Sequence, residues 1–395
     1  MGTEERATLR GCRVVTTSMT ARLLLANQLR SLKDISWTVV SGDPFDDAPD
    51  DVAVEVVPVR RELAFSSLVP DLKALVSLWR LFRLRKFDFV QTHTPKASLL
   101  GLPAARLAGT RAIYTIHGSL YFADNGRLGN LAGWVFEKWC CTWAHSVLVQ
   151  SREDELVLPR VRICARRKIR YIGNGVVLDH FLEPVEPADL IGPSEPVHLP
   201  VVVMVSRLVK EKGCSDFFEL ALALSGRARF VHVGPAEADQ SDAISAEEIA
   251  QAEKDVSFTG AKKDVRPYFA GADIVVLPSY REGIPRVAME ASAAGRPVVA
   301  YDVRGVREVI DAQSGLLVRR GDVQALISVV EDLLSEPERR TKLGEQCRQR
   351  VVERFSEDDV IDRLGRFYAE LDFQRELTTS ATSGTSATSA TSGLR

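Results

Sequence analysis

The sequence predicts two doubly wound α/β domains in tandem, and three observations carry that expectation. Short β-branched runs alternate with longer helical stretches, the pattern of parallel sheets covered by helices on both faces. The alternation stops at a segment holding five prolines (184, 187, 193, 196 and 200) and then restarts. The length, 395 residues, also exceeds what one hydrophobic core organises.

In the first half, strands are expected at 13–17, 37–41, 52–57, 87–92, 111–116, 146–150 and 169–172, with helices between most of them. The proline-rich segment 184–200 reads as a linker. Beyond it, strands are expected at 201–205, 230–233, 256–258, 274–277 and 297–301. Helices follow at 214–223, 245–253, 265–269, 285–294 and 323–334. A further helix is expected over 356–375, packing back toward the first domain. The Thr/Ser/Ala/Gly-rich tail 376–395 has little to bury and is read as disordered. Domains are thus placed at 1–183 and 201–355, with a ligand cleft expected between them at the carboxyl ends of the strands.

Composition narrows the function. Hydrophobic residues make up 45% and charged residues 26%, as in ordinary globular chains. No apolar run reaches the ~20 residues of a spanning helix. The polar start, MGTEERATLRG, lacks the apolar core of a secretion signal, so a cytoplasmic protein is expected. Six cysteines without zinc-like spacing read as reduced, buried thiols. The net charge of −2 gives no reason to expect nucleic acid, but it hides an asymmetry. Residues 1–185 carry 25 Lys and Arg against 19 Asp and Glu, and residues 186–395 carry 26 against 34. Such a split can mark a charged partner for one half.

The chemistry is concentrated in LPSYREGIPRVAMEASAAGRPVVA, residues 277–300. A strand ends at Pro278, a loop carries Glu282 and Gly283, and Pro285 opens a helix. Free N–H groups at such a helix start suit a phosphate. Glu290 stands among Val287, Ala288, Met289, Ala291 and Ala294, so its carboxylate needs a partner or faces a polar ligand. A second element, MVSRLVKEKG at 204–213, sets Arg207 and Lys212 around a loop that leaves another strand. Read alone, it is a surface basic loop; beside the first element, its cations suit a diphosphate.

These two segments resemble the signature motifs of the family 4 (GT4) glycosyltransferases, retaining enzymes of the GT-B fold, in which two Rossmann-like domains face each other. The resemblance implies that Glu282 contacts donor-sugar hydroxyls and Glu290 the ribose of the nucleotide. It also brings the backbone of Gly283, Ile284 and Pro285 toward sugar and diphosphate, and gives Arg207 and Lys212 the diphosphate. VSFTG at 256–260 resembles the turn beside the base, which puts Gly260 there. YIGNGV at 171–176 resembles an Asn-Gly-Val turn, which brings Asn174 to the donor. YTIHG at 114–118 matches a strand whose histidine lies near the reacting centre, so His117 joins Glu282 as a catalytic candidate. His93, Thr94 and Lys96, in QTHTPK, are expected on the acceptor side.

One departure stands out: relatives often have a Gly-Gly loop after the first strand, whereas TTSMTA occupies 16–21 here. No Asp-x-Asp pair sits on a strand end, so neither metal nor cofactor is expected. Acidic clusters such as Asp46-Asp47 and Glu153-Asp154-Glu155 read as solvated loops or helix starts. The flanking residues resemble capsule, exopolysaccharide and O-antigen members. The implied reaction moves a hexose or N-acetylhexosamine from a nucleotide sugar, UDP being the expected nucleotide, to a lipid-linked saccharide. A small-molecule acceptor, a nucleotide-sugar epimerase and a non-catalytic sugar-nucleotide binder are the alternatives. Basic runs at Arg80–Arg85 and Lys86 and at Arg160–Arg170 suggest peripheral contact with the anionic inner face of the plasma membrane. The competing reading of the first run is a core-packing helix with a solvated end.

Overall fold

The computed structural model describes residues 8–59, 68–121, 126–190, 199–237, 240, 242–311 and 313–385. The chain divides into two compact units, both parallel-sheet α/β.

The first unit comprises residues of Met1–Val149, Leu158–Ile172 and Asp359–Arg395. Its strands are β1 (Leu9–Val14), β2 (Ile35–Ser41), β3 (Ala53–Val56), β4 (Phe89–Thr92), β5 (Arg111–Ile116), β6 (Ser146–Val149) and β7 (Ile169–Tyr171). They pair in the order 3-2-1-4-5-6-7, all parallel. Helices α1 (Ser18–Ser31), α2 (Leu68–Arg85), α3 (Pro95–Leu107) and α4 (Gly126–Trp143) connect them, and α5 (Arg152–Arg160) follows β6. Separate apolar clusters fill the two faces of the sheet. In α2, Ala74, Leu78 and Phe82 turn into the core, so this helix packs as a core helix. Its basic end is exposed, with Arg85 paired to Glu55.

The second unit comprises Gln150–Val157 and Gly173–Asp358. Strands β8 (Val201–Val205), β9 (Arg229–Val233), β10 (Val256–Phe258), β11 (Ile274–Leu277), β12 (Val298–Tyr301) and β13 (Leu316–Val318) pair in the order 10-9-8-11-12-13. The helices are α6 (Leu178–Leu182), α7 (Cys214–Ala223), α8 (Ala246–Ala252), α9 (Arg266–Ala270), α10 (Arg286–Ala293), α11 (Val306–Val309), α12 (Val323–Ser335) and α13 (Pro337–Arg354), and α14 (Glu357–Thr385) only begins in this unit. Strand β8 (VVVMV) is buried at every residue, as a central parallel strand must be.

Several expectations shift. The first strand runs over Leu9–Val14 rather than 13–17, because Leu9 to Val14 pair residue by residue with β2. The boundary expected at 183 moves back to Gly173. Asn174 Nδ2 donates to Ile284 O, Val176 pairs with Ser356, and the Arg266 guanidinium donates to His180 O. Of the linker, residues 191–198 lie outside the described residues. Helix α14 continues to Thr385, well into the segment read as tail; extending a formed helix adds one hydrogen bond per residue fixed. Residues 386–395 lie outside the described residues. From Asp359 onward α14 belongs to the first unit, where Arg363 donates to Ile172 O at 2.7 Å. Glu153, Asp154 and Glu155 lie in the first turn of α5, a helix start as one of the two readings has it, and Asp154 is buried against Arg304. All six cysteines are buried and free.

Candidate active site

In the second sheet the strand order reverses between β8 and β11, and the loops leaving these strands form the crevice in which α/β sheets bind ligands. Arg207 and Lys212 lie on the loop after β8, and Glu282 and Gly283 on the loop after β11. Gly213 lets the two loops touch. Its φ is +73°, and a Cβ there would lie 1.9 Å from Pro278 O. The close approach brings Lys212 Nζ to 2.7 Å from Glu282 Oε1, with both side chains largely buried. Arg207 donates to Glu237 Oε2 at 2.8 Å. Two cations on the loop after β8 are thus each paired with a carboxylate, Lys212 with Glu282 just ahead of α10 and Arg207 with Glu237.

Glu290 lies one turn into α10. Burial raises its carboxyl above the ordinary range, and the Arg286 guanidinium, 3.5 Å away, partly offsets that. This arginine is the partner that the apolar neighbours of Glu290 demand. Ile284 O accepts from Asn174 Nδ2 at 3.3 Å, and Asn174 Oδ1 accepts from Gly175 N at 3.0 Å. Asn174 is thereby fastened to the Glu282–Pro285 loop. Gly260 follows β10 with φ +71°, and its carbonyl accepts from Gly234 N at 3.0 Å. Eight of the expected residues therefore lie on or beside two loops, and Gly260 sits at a third strand end of the same sheet. Among the described residues no cluster of three or more His, Cys, Asp or Glu side chains is arranged to hold a metal ion.

In the first unit the reversal falls between β1 and β4. His93 follows β4 and His117 follows β5. Their rings meet, with His93 Nδ1 3.1 Å from His117 Nε2. His93 is buried, which holds its imidazole well below the usual pKa, with the His117 and Arg13 charges acting the same way. His93 Nε2 and Thr94 Oγ1 are buried without a hydrogen-bond partner among the described residues. Lys96 is not an open cation: it is buried, 2.5 Å from Asp71 Oδ2. The departing TTSMTA segment starts α1, with Thr17 capping Thr20 N and Ser18 N donating to Asp43 Oδ1 at 2.6 Å.

Three further residues shape these loops. Gly305 abuts the Gly283 carbonyl from the neighbouring loop after β12. Glu137, fully buried on α4, accepts from Tyr114 OH at 3.0 Å and Leu120 N at 2.8 Å, which fixes the chain on either side of His117. Arg13, also fully buried, donates to Gln28 and Tyr368 and lies 4.4 Å from the Trp37 ring centroid. An acid inside the apolar WVFEKW run was the visible signal for Glu137. Gly305 and Arg13 offered none, because their partners are distant in sequence.

This architecture is the GT-B glycosyltransferase fold. The chain superposes on sucrose-phosphate synthase from Thermosynechococcus elongatus with a TM-score of 0.78 at 20% identity, covering 92% of this chain and 99% of that one. For the Anabaena protein HepE in complex with UDP-glucose the TM-score is 0.74 at 18% identity, over 92% and 100%. Residues 199–336 match the family model described as glycosyl transferases group 1, and residues 23–180 match glycosyltransferase family 4. The chain is 31% identical to an alpha-D-kanosaminyltransferase of Streptomyces kanamyceticus, over 68% of this chain and 72% of that protein. It is 25% identical to the Escherichia coli UDP-Gal:alpha-D-GlcNAc-diphosphoundecaprenol alpha-1,3-galactosyltransferase, over 77% and 81%. A D-inositol 3-phosphate glycosyltransferase of Xylanimonas cellulosilytica is 26% identical, over 73% of each. The chain belongs to glycosyltransferase family 4 and is a glycosyltransferase.

Proposed function

We propose that this chain is a retaining, metal-independent glycosyltransferase that moves a hexose or N-acetylhexosamine from a UDP-sugar to a hydroxyl of a lipid-linked saccharide. The observation that carries this reading is the meeting of Lys212 and Glu282 at the β8–β11 reversal, beside Arg207 and the start of α10. In this reading Arg207 and Lys212 stand where a diphosphate leaving group develops negative charge and do the work a divalent ion does elsewhere. In the proposed arrangement Arg207 and Lys212 hold the diphosphate, Glu282 accepts from sugar hydroxyls, and Glu290 accepts from the ribose. A carboxylate has two oxygens and can accept a pair of hydroxyls. The backbone of Gly283, Ile284 and Pro285 and the side chain of Asn174 line the donor, with Gly260 near the base. His117 is catalytic, and His93 and Thr94 belong to the acceptor side. The acceptor hydroxyl approaches the face from which the diphosphate departs, and the leaving phosphate takes the proton.

A diphosphoundecaprenol-linked acceptor in the name of the Escherichia coli relative supports the lipid-linked substrate. The D-inositol 3-phosphate enzyme supports a second reading, in which the acceptor is a small soluble polyol. A thermal-shift panel of UDP- and GDP-sugars identifies the donor, since ligand at 100 times its dissociation constant stabilises a fold by about 2.7 kcal/mol. Transfer is then measured with and without EDTA, on lipid-diphosphate and soluble acceptors. Unchanged transfer and UDP-sugar hydrolysis in Glu282→Ala would remove the assigned role of Glu282. A sugar altered without any acceptor would point to an epimerase instead.

A further inference from the structure

A cavity opens at the amino ends of β11 and β12, the edge of the second sheet opposite to Glu282 and Gly283. Asp273 and Pro297, the residues directly ahead of these two strands, help to line it, and its volume is about 460 Å³. Small-molecule sites commonly enclose ~300–1,000 Å³. The packing of α13 on the end of α10 builds the cavity. Gly344 lies so close to Gly295 that a Cβ on it would meet the Gly295 carbonyl oxygen at 2.2 Å. Arg340 and Arg348 stand one turn to either side of Gly344 on the same face of α13, and Arg296 directly follows Gly295. Three guanidiniums therefore line one cavity.

Each guanidinium is anchored along one edge by a carbonyl at the end of a helix. Arg296 donates to Ala270 O of α9 at 2.8 Å. Arg340 donates to Leu333 O and Leu334 O of α12 at 2.7 and 2.8 Å, and Arg348 to Leu182 O of α6 at 3.5 Å. A guanidinium has five N–H donors, so each keeps donors to spare. Arg296 Nε is buried without a hydrogen-bond partner among the described residues. Burial depresses the Arg296 pKa, with the Asp273 charge opposing that shift. The two carboxylates in the lining leave the three cations under-neutralised. Asp273 accepts from Val201 N at 2.9 Å and stands 3.6 Å from Arg340, and Glu345 is exposed. Planar forks already fixed in place lose little freedom when they bind an oxyanion.

We propose that this cavity is a binding site for a phosphate monoester of a polyol, a sugar phosphate. Arg296, Arg340 and Arg348 take the phosphoryl oxygens, and Glu345 accepts from hydroxyls. Inorganic phosphate shares the phosphoryl chemistry but leaves Glu345 unused and most of the volume unfilled. The site lies at the other end of the strands from the proposed donor crevice and rests on no part of that reading.

Isothermal titration calorimetry of the full chain with glucose 6-phosphate, orthophosphate and glucose, each with and without saturating UDP, tests the proposal. Glucose 6-phosphate is expected to bind whether or not UDP is present, orthophosphate about tenfold more weakly, and glucose not at all. Arg348→Gln gives up the longest of the carbonyl contacts, so it should keep its thermal midpoint while weakening glucose 6-phosphate binding about tenfold, the worth of one hydrogen bond to a charged group. Thr341→Glu adds a carboxylate to the exposed rim and should abolish binding. Displacement of glucose 6-phosphate by UDP would move it to the donor crevice and overturn the proposal, as would undiminished binding in both variants or no binding to the wild-type chain. Orthophosphate binding as tight as that of the ester would overturn the sugar assignment and make free phosphate the ligand.

Discussion

Gly305 adopts φ +80°, and a Cβ built on it would lie 1.3 Å from the carbonyl oxygen of Gly283 and 2.5 Å from its carbon. In Gly305→Ala the two backbones must part by about 1.7 Å to reach 3.0 Å, a distance below which real Cβ contacts essentially never fall. Both sides of this contact are main chain, so no side-chain rotation relieves it. The left-handed conformation costs an alanine about 1–2 kcal/mol more. The displaced segment is the one proposed to hold the donor, between Glu282 and the Ile284 carbonyl that Asn174 binds. A misplacement of about 1 Å in orienting groups can cost on the order of 100-fold in rate. Gly305→Ala is therefore expected to lose about 100-fold in kcat/KM, or about 2.7 kcal/mol of transition-state stabilisation, with weaker UDP binding. Steady-state transfer and UDP titration calorimetry measure the two effects, and circular dichroism checks the fold. A folded Gly305→Ala enzyme with wild-type turnover and wild-type UDP affinity would refute the reasoning.

Three other outcomes are expected. Burial lowers the His232 pKa to about 4 from about 6.5 in an unfolded chain. The unfolded state therefore takes up a proton that the folded state refuses. Stability present above pH 6.5 is lost as pH falls toward 4, by roughly 3 kcal/mol, and His232→Gln should flatten that limb in pH-dependent urea melts. The partnerless, buried His93 Nε2 favours a proton on Nδ1, because a bare lone pair is easier to bury than an N–H. His93 then donates to His117. His93→Ala should lower kcat about tenfold, the worth of one hydrogen bond, and move the pH profile. His93→Asn should restore much of the rate through its amide donor. Finally, Lys212→Met and Glu282→Gln should each weaken UDP-sugar binding. Because they are in contact, a double-mutant cycle should show a coupling of about 0.5–3 kcal/mol.

The donor-side residues were legible because their chemistry shows locally. A carboxylate at Glu290 amid alanine, valine and methionine, and two cations after a buried strand, are improbable unless something polar is held there. Both sheets were legible from alternation, except for β13 (Leu316–Val318), which was not anticipated. Gly305 could not be read, because its role lies in a φ angle and in a carbonyl 22 positions away. Arg13 read as the start of a strand, whereas it lies near the strand's end, spanning to α1 and α14.

The Tyr368 hydroxyl binds Arg13 and Gln91, and Gln91 Nε2 donates to Thr115 at 2.8 Å. A helix near the end of the chain thus supplies a hydrogen bond to an arginine on its first strand. On the ribosome, residues 1–172 emerge with the Arg13 guanidinium still lacking this partner. At about 5–20 residues per second, Tyr368 follows Ile172 by roughly 10–40 s. During that interval the nascent first unit carries an arginine it cannot fully satisfy and an uncovered apolar face around Trp37 and Phe89. A truncation before Tyr368 would make that interval permanent, leaving Arg13 short of a partner and the apolar face around Trp37 and Phe89 uncovered.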